Sequence, residues 1–459
     1  MWGHTRVGIL WWSLAGVVVG VQVAAAGSLT AEQELGKKFS MEARRQLPLI
    51  DDVEVNAYVA HLGQKIVAAL GEQPFSYHFY VVRDARINAF AVPGGYVYVH
   101  AGLLTAASND DEVAGVLGHE IAHVNAHHLV RQQEATRLVN YATLLGVLLS
   151  VLNPAAGAGT VAVNEAVQLK YRREFEQEAD YLGVTYVRQA GYDPGGTLDF
   201  FKKMLDQQRL TPTSAPPYLL SHPLTEARLT NLEAVLRTHQ WDKRSRQPTS
   251  LDLARVQLLA RARMETAKDL VESYWQQVAA HPEDAHARYL LGVAYFETGS
   301  FDAARQAFET VPPSKVVDLS RETGRTLLRL RQLEKARELL SRAAEITPDD
   351  PLAHHELAKA LEALNDNDGA MREYERALQL APDLEEAHYN LGILAGRAGR
   401  PGEGFYHLGA AFELRGEFDK ALSQFKRAEP LLPPGSDRAQ AVHAEVTDLS
   451  EYLKHGRWR

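Results

Sequence analysis

His119-Glu120-Ile121-Ala122-His123 is the segment of this chain with the plainest capacity for chemistry. Two imidazoles four residues apart stand one above the other on a helix face, where they can share a single tetrahedral metal ion. Glu120 lies between them along the chain, placed to take a proton from an attacking water and later deliver it to a leaving amine. That is the chemistry of peptide-bond hydrolysis. The motif is short enough to arise by chance, so its surroundings must decide.

Those surroundings offer a third donor. One zinc-peptidase subclass needs a histidine six residues beyond His123, but Leu129 stands there. The gluzincin arrangement takes instead a glutamate from a second helix, with an aspartate four residues later that orients a ligand histidine. The run YRREFEQEADYLG supplies Glu176 and Asp180 on one helical face. Glu178 is the local competitor of Glu176. His127, one turn beyond His123, is the alternative on the first helix, and a solvated charged face shared with Arg172 and Arg173 is the non-catalytic reading. The chain has no cysteine, so any metal must use His, Asp or Glu. A His-His-Glu set favours Zn2+, one ion per chain.

Helices must position these groups. DDEVAGVLGHEIAHVNAHHLVRQQ keeps Val113, Val116, Leu117, Ile121 and Val124 at helical spacing, and Asp110 to Glu112 suit its N-terminal dipole end. Residues 29–70 carry the same periodicity and read as helix. Between them, SYHFYVVRDARINAFAVPGGYVYVHAGLL alternates bulky and polar residues around Pro93-Gly94-Gly95, the pattern of a hairpin.

At 459 residues the chain exceeds one ordinary core, and 46% hydrophobic with 23% charged residues is a globular composition. A net charge of -9 argues against nucleic acid as a partner. The first 26 residues place one arginine ahead of an uncharged run ending Ala24-Ala25-Ala26, the form of a cleaved signal peptide, with an uncleaved anchor as the alternative. Either form exports the body of the chain. Leu138–Asn164 is uncharged but interrupted by Asn153-Pro154, which suits a helical hairpin or lid in peripheral contact with a membrane or substrate, or a buried helix pair, better than a spanning helix.

Beyond a polar linker the sequence repeats. Gly292, Ala304 and Val311 are matched by Gly324, Ala336 and Ala343, by Ala358, Ala370 and Ala377, and by Gly409, Ala421 and Ala428, at offsets of 12 and 19. Gly324, Ala358 and Gly392 are each 34 apart, and Pro348 and Pro382 keep that spacing. This is the tetratricopeptide pattern of stacked helix hairpins. Its register slips at the end, where Gly392 to Gly409 is only 17, so one unit has lost a helix or shares it.

Asn88-Ala89-Phe90 before Pro93-Gly94-Gly95, then HEIAH, then Arg173, Glu176, Ala179 and Asp180, and finally His222-Pro223 with Arg228, resemble the BepA/HtpX group of zinc peptidases. The residue before Arg173 is Arg172, where related chains commonly carry serine. The resemblance implies that Asn88, Ala89 and Phe90 form an edge strand pairing with extended substrate. It implies that Arg173 and Asp180 back the metal ligands. It also implies that His222, by its local sequence only a loop histidine, lies at the metal as a fourth ligand of a latent site or as a catalytic donor to the oxyanion.

The expected fold is mostly α: a compact helical gluzincin metallopeptidase domain with a small β-sheet, followed by an α-helical tetratricopeptide-repeat solenoid. The expected boundaries are 1–26 signal peptide, 27–240 peptidase, 241–255 linker and 256–450 repeats. The expected activity is that of a periplasmic endopeptidase with Glu120 and His222 as catalytic groups and His119, His123 and Glu176 as metal ligands. Unfolded or misassembled envelope proteins would be its substrates and the outer-membrane β-barrel assembly machinery a partner of the repeats. The alternative is a chaperone or assembly scaffold whose peptidase site is silent.

Overall fold

The computed structural model describes residues 29–30, 32–131, 173–210, 216–239, 241, 252–313, 316 and 318–455. The signal segment 1–26, the stretch Leu138–Asn164, Arg172 and most of the polar linker lie outside the described residues. The chain divides into two compact units, one comprising Met1–Leu47 with Tyr58–Thr249 and the other Pro48–Ala57 with Ser250–Arg459. The fold is mostly helical, with a three-stranded sheet among the described residues.

In the first unit, helix α1 (32–46) and helix α2 (Val53–Ala69), whose first turn counts with the second unit, precede strands β1 (His78–Val82), β2 (Ala89–Val92) and β3 (Tyr96–His100). The hairpin forms around Pro93, with Gly94 and Gly95 both at positive φ, and sets Phe90 opposite Tyr98. β1 lies in the alternating run, but a hairpin pattern gives no sign of its pairing: it joins β3 in parallel and makes β3 the central strand. β2 is therefore an edge, its outer side without a strand partner among the described residues.

After α3 (Ala101–Ala106) comes α4 (Asp110–Asn125), the helix of the two histidines, buried continuously from Glu112 to Val124. Asn109 caps it by accepting from the Glu112 amide, and the Glu112 carboxylate accepts from the Ser108 amide and Lys203. Tyr58 donates to Asp110 at 2.8 Å. Around α4 stand α5 (Arg173–Gln189), α6 (Gly195–Leu210), the short α7 (Tyr218–Ser221) and α8 (Glu226–Thr238). A Cβ on Gly118 of α4 would lie 2.5 Å from Val187 Cγ2 and 2.9 Å from the Gly183 carbonyl of α5, so the two helices approach this closely only because Gly118 has no side chain.

In the second unit the repeat pattern becomes helix hairpins. A Cβ on Gly292 would meet Phe308 at 2.4 Å, one on Gly324 would meet Leu340 at 2.7 Å and one on Gly409 would meet Phe425 at 2.6 Å. Gly392 faces Leu408 at 2.9 Å in the same way. The 17-residue interval is thereby explained: helix Pro401–Leu414 closes one hairpin through Leu408 and opens the next through Gly409. It is shared, not lost. The chain turns inside successive hairpins through left-handed residues, Gly299, Arg331, Asn365, Gly399 and Gly416.

Glu54, which counts with this second unit, is tied into a buried ion network. Arg255 donates to Glu54 at 2.6 Å, to Glu322 at 3.0 Å and to Tyr289 at 2.8 Å, and Arg321 reaches the other Glu54 oxygen. Burial pushes the Glu54 carboxyl up, but Arg255 and Arg321 outweigh it and bring the pKa down to about 2. A depressed pKa contributes stability above the unfolded value of about 4.3, and that contribution is lost as pH falls toward 2. Denaturant unfolding should show Glu54→Ala costing about 3–5 kcal/mol at neutral pH, because two buried guanidinium groups each lose one of their partners. The gap between wild type and Glu54→Gln should narrow on acidification through that window.

Candidate metal centre

His119 and His123 leave α4 with their Nε2 atoms 3.0 Å apart. Glu176 enters from α5, one oxygen 3.6 Å from His119 Nε2 and the other 3.4 Å from His123 Nε2. His222, which follows α7, brings Nδ1 to 3.0 Å from Glu176 and Nε2 to 3.7 Å from Glu120. One donor atom from each of His119, His123, Glu176 and His222 lies within 4.8 Å of the others, and all four residues are buried.

A tetrahedral zinc with bonds of about 2.0–2.1 Å holds its donors about 3.4 Å apart, which matches this spacing. Glu120 Oε1 is buried with no hydrogen-bond partner, leaving that oxygen able to accept a proton. The residues present fit a zinc ion.

The charges behind the donors are matched. Asp180, a turn beyond Glu176 on α5, lies 3.1 Å from His119 Nδ1. Arg228 of α8 grips Asp180 through Nε and Nη2, at 2.8 and 2.7 Å, and reaches Glu176 through Nη1 at 2.6 Å. Burial pushes both carboxyls up, yet His222 with the α4 histidines holds Glu176 well below its usual range, and Arg228 with His119 holds Asp180 low. Burial lowers His119, but hydrogen bonds to Asp180 and Glu176 outweigh it and raise its pKa to about 9. Burial keeps His123 well below the usual value, and therefore neutral.

One expectation changes and two alternatives fall away. Arg173 is exposed in the first turn of α5, and the guanidinium behind the cluster is that of Arg228, which enters at the level of Asp180. His127 does not continue the ligand face, because α4 ends at Asn125 and His127 turns to φ 52 and approaches Glu32 at 2.9 Å. Glu178 points away from the donors and meets His128 and Arg131. No spacing rule connects Arg228 with Glu176, so sequence reasoning gave Arg228 no role. His128 was equally hidden, since its place follows from a turn after the helix.

Ala89 and Phe90 lie on the edge strand β2, which packs against α4. Asn88 stands just before β2, its side chain buried and 3.4 Å from His100 Nε2, and its carbonyl accepts from the His100 amide. Of the three, Phe90 is the half-buried one.

Two histidines and a glutamate converge from two helices, with a second glutamate beside the first histidine, in the arrangement of a zincin-type metal centre. Residues 53–236 match the model of Peptidase family M48, and residues 258–321, 317–360 and 362–399 match models of the tetratricopeptide repeat. Residues 53–236 are thus similar to an M48 peptidase domain, and the segments matched after them to tetratricopeptide repeats. It is 35% identical over 252 residues to the putative beta-barrel assembly-enhancing protease of Vibrio cholerae serotype O1, covering 52% of this chain and 51% of that protein. To the beta-barrel assembly-enhancing protease of Escherichia coli K12 it is 33% identical over 219 residues, 46% of this chain and 45% of the relative. The mitochondrial metalloendopeptidase OMA1 of Schizosaccharomyces pombe shares 30% identity over 176 residues, 38% of this chain and 51% of OMA1. The chain spans about half the length of the curated relatives it matches.

Because α4 and α5 touch at Gly118 and Gly183, Gly183→Ala should cost about 1–3 kcal/mol in denaturant unfolding and weaken metal binding, as Glu176 moves away from the two histidines. Metal uptake must displace the proton that His119 otherwise holds at neutral pH. Calorimetric titration with zinc at pH 7 in buffers of different ionisation enthalpy should therefore register about one proton released per chain.

Proposed function

We propose that this chain is an exported, zinc-dependent endopeptidase of unfolded or misassembled envelope proteins, with the repeats as its docking surface. The observation that carries the reading is the buried convergence of His119, His123, Glu176 and His222 beside Glu120. Zinc bound there supplies Lewis acidity to polarise the scissile carbonyl. Glu120 takes the proton of the attacking water and passes it to the leaving amine. His222 stabilises the oxyanion, and Arg228 with Asp180 holds His119 and Glu176 in place.

The free edge of β2 supports binding of an extended segment by strand addition alongside Ala89 and Phe90, with Asn88 fixing the start of the strand. The helix-hairpin array supports docking of a polypeptide. Export to the periplasm accords with the sequence of residues 1–26, and the named role of the bacterial relatives suggests the outer-membrane β-barrel assembly machinery as the partner. Among the described residues no helix is long and apolar enough to cross a membrane. The contact proposed for Leu138–Asn164 is peripheral.

One observation favours a second reading. His222 sits within hydrogen-bond reach of Glu176, so as a fourth ligand it would close the position that water needs, leaving a latent site and a chaperone-like scaffold. Zinc content and casein cleavage of the mature chain separate the two. The peptidase reading expects about one zinc per chain and cleavage that Glu120→Gln abolishes without loss of metal. Cleavage by His222→Ala alone would establish latency, and metal-free, inactive protein in every form would leave only the scaffold.

A further inference from the structure

His128 is fully buried yet lies outside the donor set. The chain reverses at His127 directly after α4, and this turn brings the His128 ring back beneath His123. His128 Nδ1 is 3.0 Å from His123 Nδ1, and His128 Nε2 is 3.1 Å from Glu178 Oε2. Arg131 donates to the same Glu178 oxygen at 3.0 Å. The His128 ring stacks on Phe175 with centroids 4.7 Å apart and planes 15° from parallel, and Arg131 covers Phe175. Both ring nitrogens of His128 and one face of its ring are thus engaged.

The proton positions follow from the direction of His123. Its Nε2 faces His119 Nε2 and Glu176, so that nitrogen offers its lone pair to the cluster and Nδ1 carries the hydrogen. Nδ1–H then donates to His128 Nδ1, and His128 Nε2–H donates to Glu178. We infer that His128 and Glu178 form a positioning relay behind His123, fixing its tautomer and ring plane and raising its strength as a metal ligand. His119 has Asp180 directly behind it; His123 reaches its carboxylate through a second imidazole. The inference rests on the proposed role of His123 as a zinc ligand and adds residues to which the peptidase reading gives no task.

Loss of an outer hydrogen-bond partner typically weakens a metal site about 10–100-fold. Zinc affinity of the full chain, measured by competition with a chromogenic chelator, is the test. His128→Phe keeps the aromatic stack on Phe175 but removes the acceptor, and should lose affinity in that range. His128→Asn restores an acceptor near the Nδ1 position and should recover most of it. Glu178→Gln should weaken the wild type several-fold yet have no further effect in either His128 background, since the path to His123 is already cut there. A purely packing role would predict independent losses and no rescue by Asn. If His128→Phe fails to fold, the comparison of Glu178→Gln in the wild type and in His128→Asn decides alone. Wild-type zinc affinity in His128→Phe, or a Glu178→Gln loss that persists undiminished without His128, would overturn the relay. A wild type that holds no zinc would remove both the relay and the endopeptidase reading.

Discussion

The close approach of α4 and α5 is the constraint from which the rest of the centre follows. Gly118 and Gly183 bring no side chain of their own to the crossing, so the backbones meet beside His119, with Val187 packed against Gly118. Glu176 is then carried to within 3.6 Å of that histidine. The 16-residue helix α4 is buried almost throughout, which is why its sequence is apolar on nearly every side and why its few polar groups are tied down. α6 approaches it with similar intimacy, Gly115 facing Thr197. Rigid backbone contacts on two sides of one helix fix the origin from which both imidazoles project.

Placing three carboxylates and three histidines in one interior demands neutralisation in detail. Arg228 answers Asp180 and Glu176 together, with a planar fork that also donates to the Pro223 carbonyl and so binds the segment following His222 to the same centre. A lysine could not make this set of contacts. The repeat unit solves the same problem around Glu54, where one acid is shared by two arginines. In each case the groups are held by directed, charge-assisted hydrogen bonds, and removal of any one member strands the others away from water.

Features that repeat or recur at short range were legible in the residues themselves. The two histidines, the helix that bears them, the Pro93-Gly95 turn and the small residues of the repeats all follow from spacing. Glu176 and Asp180 were found because a one-turn interval on a second helix is itself a spacing rule. What escaped depends on chain reversal or on contact between distant segments. The parallel pairing of β1 with β3 leaves no local mark. The end of α4 at Asn125 removes His127 from the ligand face and delivers His128 to His123, an outcome that helical periodicity alone inverts. His222 entered through family resemblance, since nothing in Ser221-His222-Pro223 announces a neighbour of Glu176.

Helix Pro401–Leu414 belongs to two hairpins at once, through Leu408 facing Gly392 and Gly409 facing Phe425. In an ordinary solenoid each hairpin is a module, and the array can grow or shrink by whole modules without disturbing its neighbours. Here there is no seam between the hairpin that starts at Glu385 and the one that ends at Ala428. A deletion that removes either one takes half of the other, so the two hairpins can be removed only together, as one block.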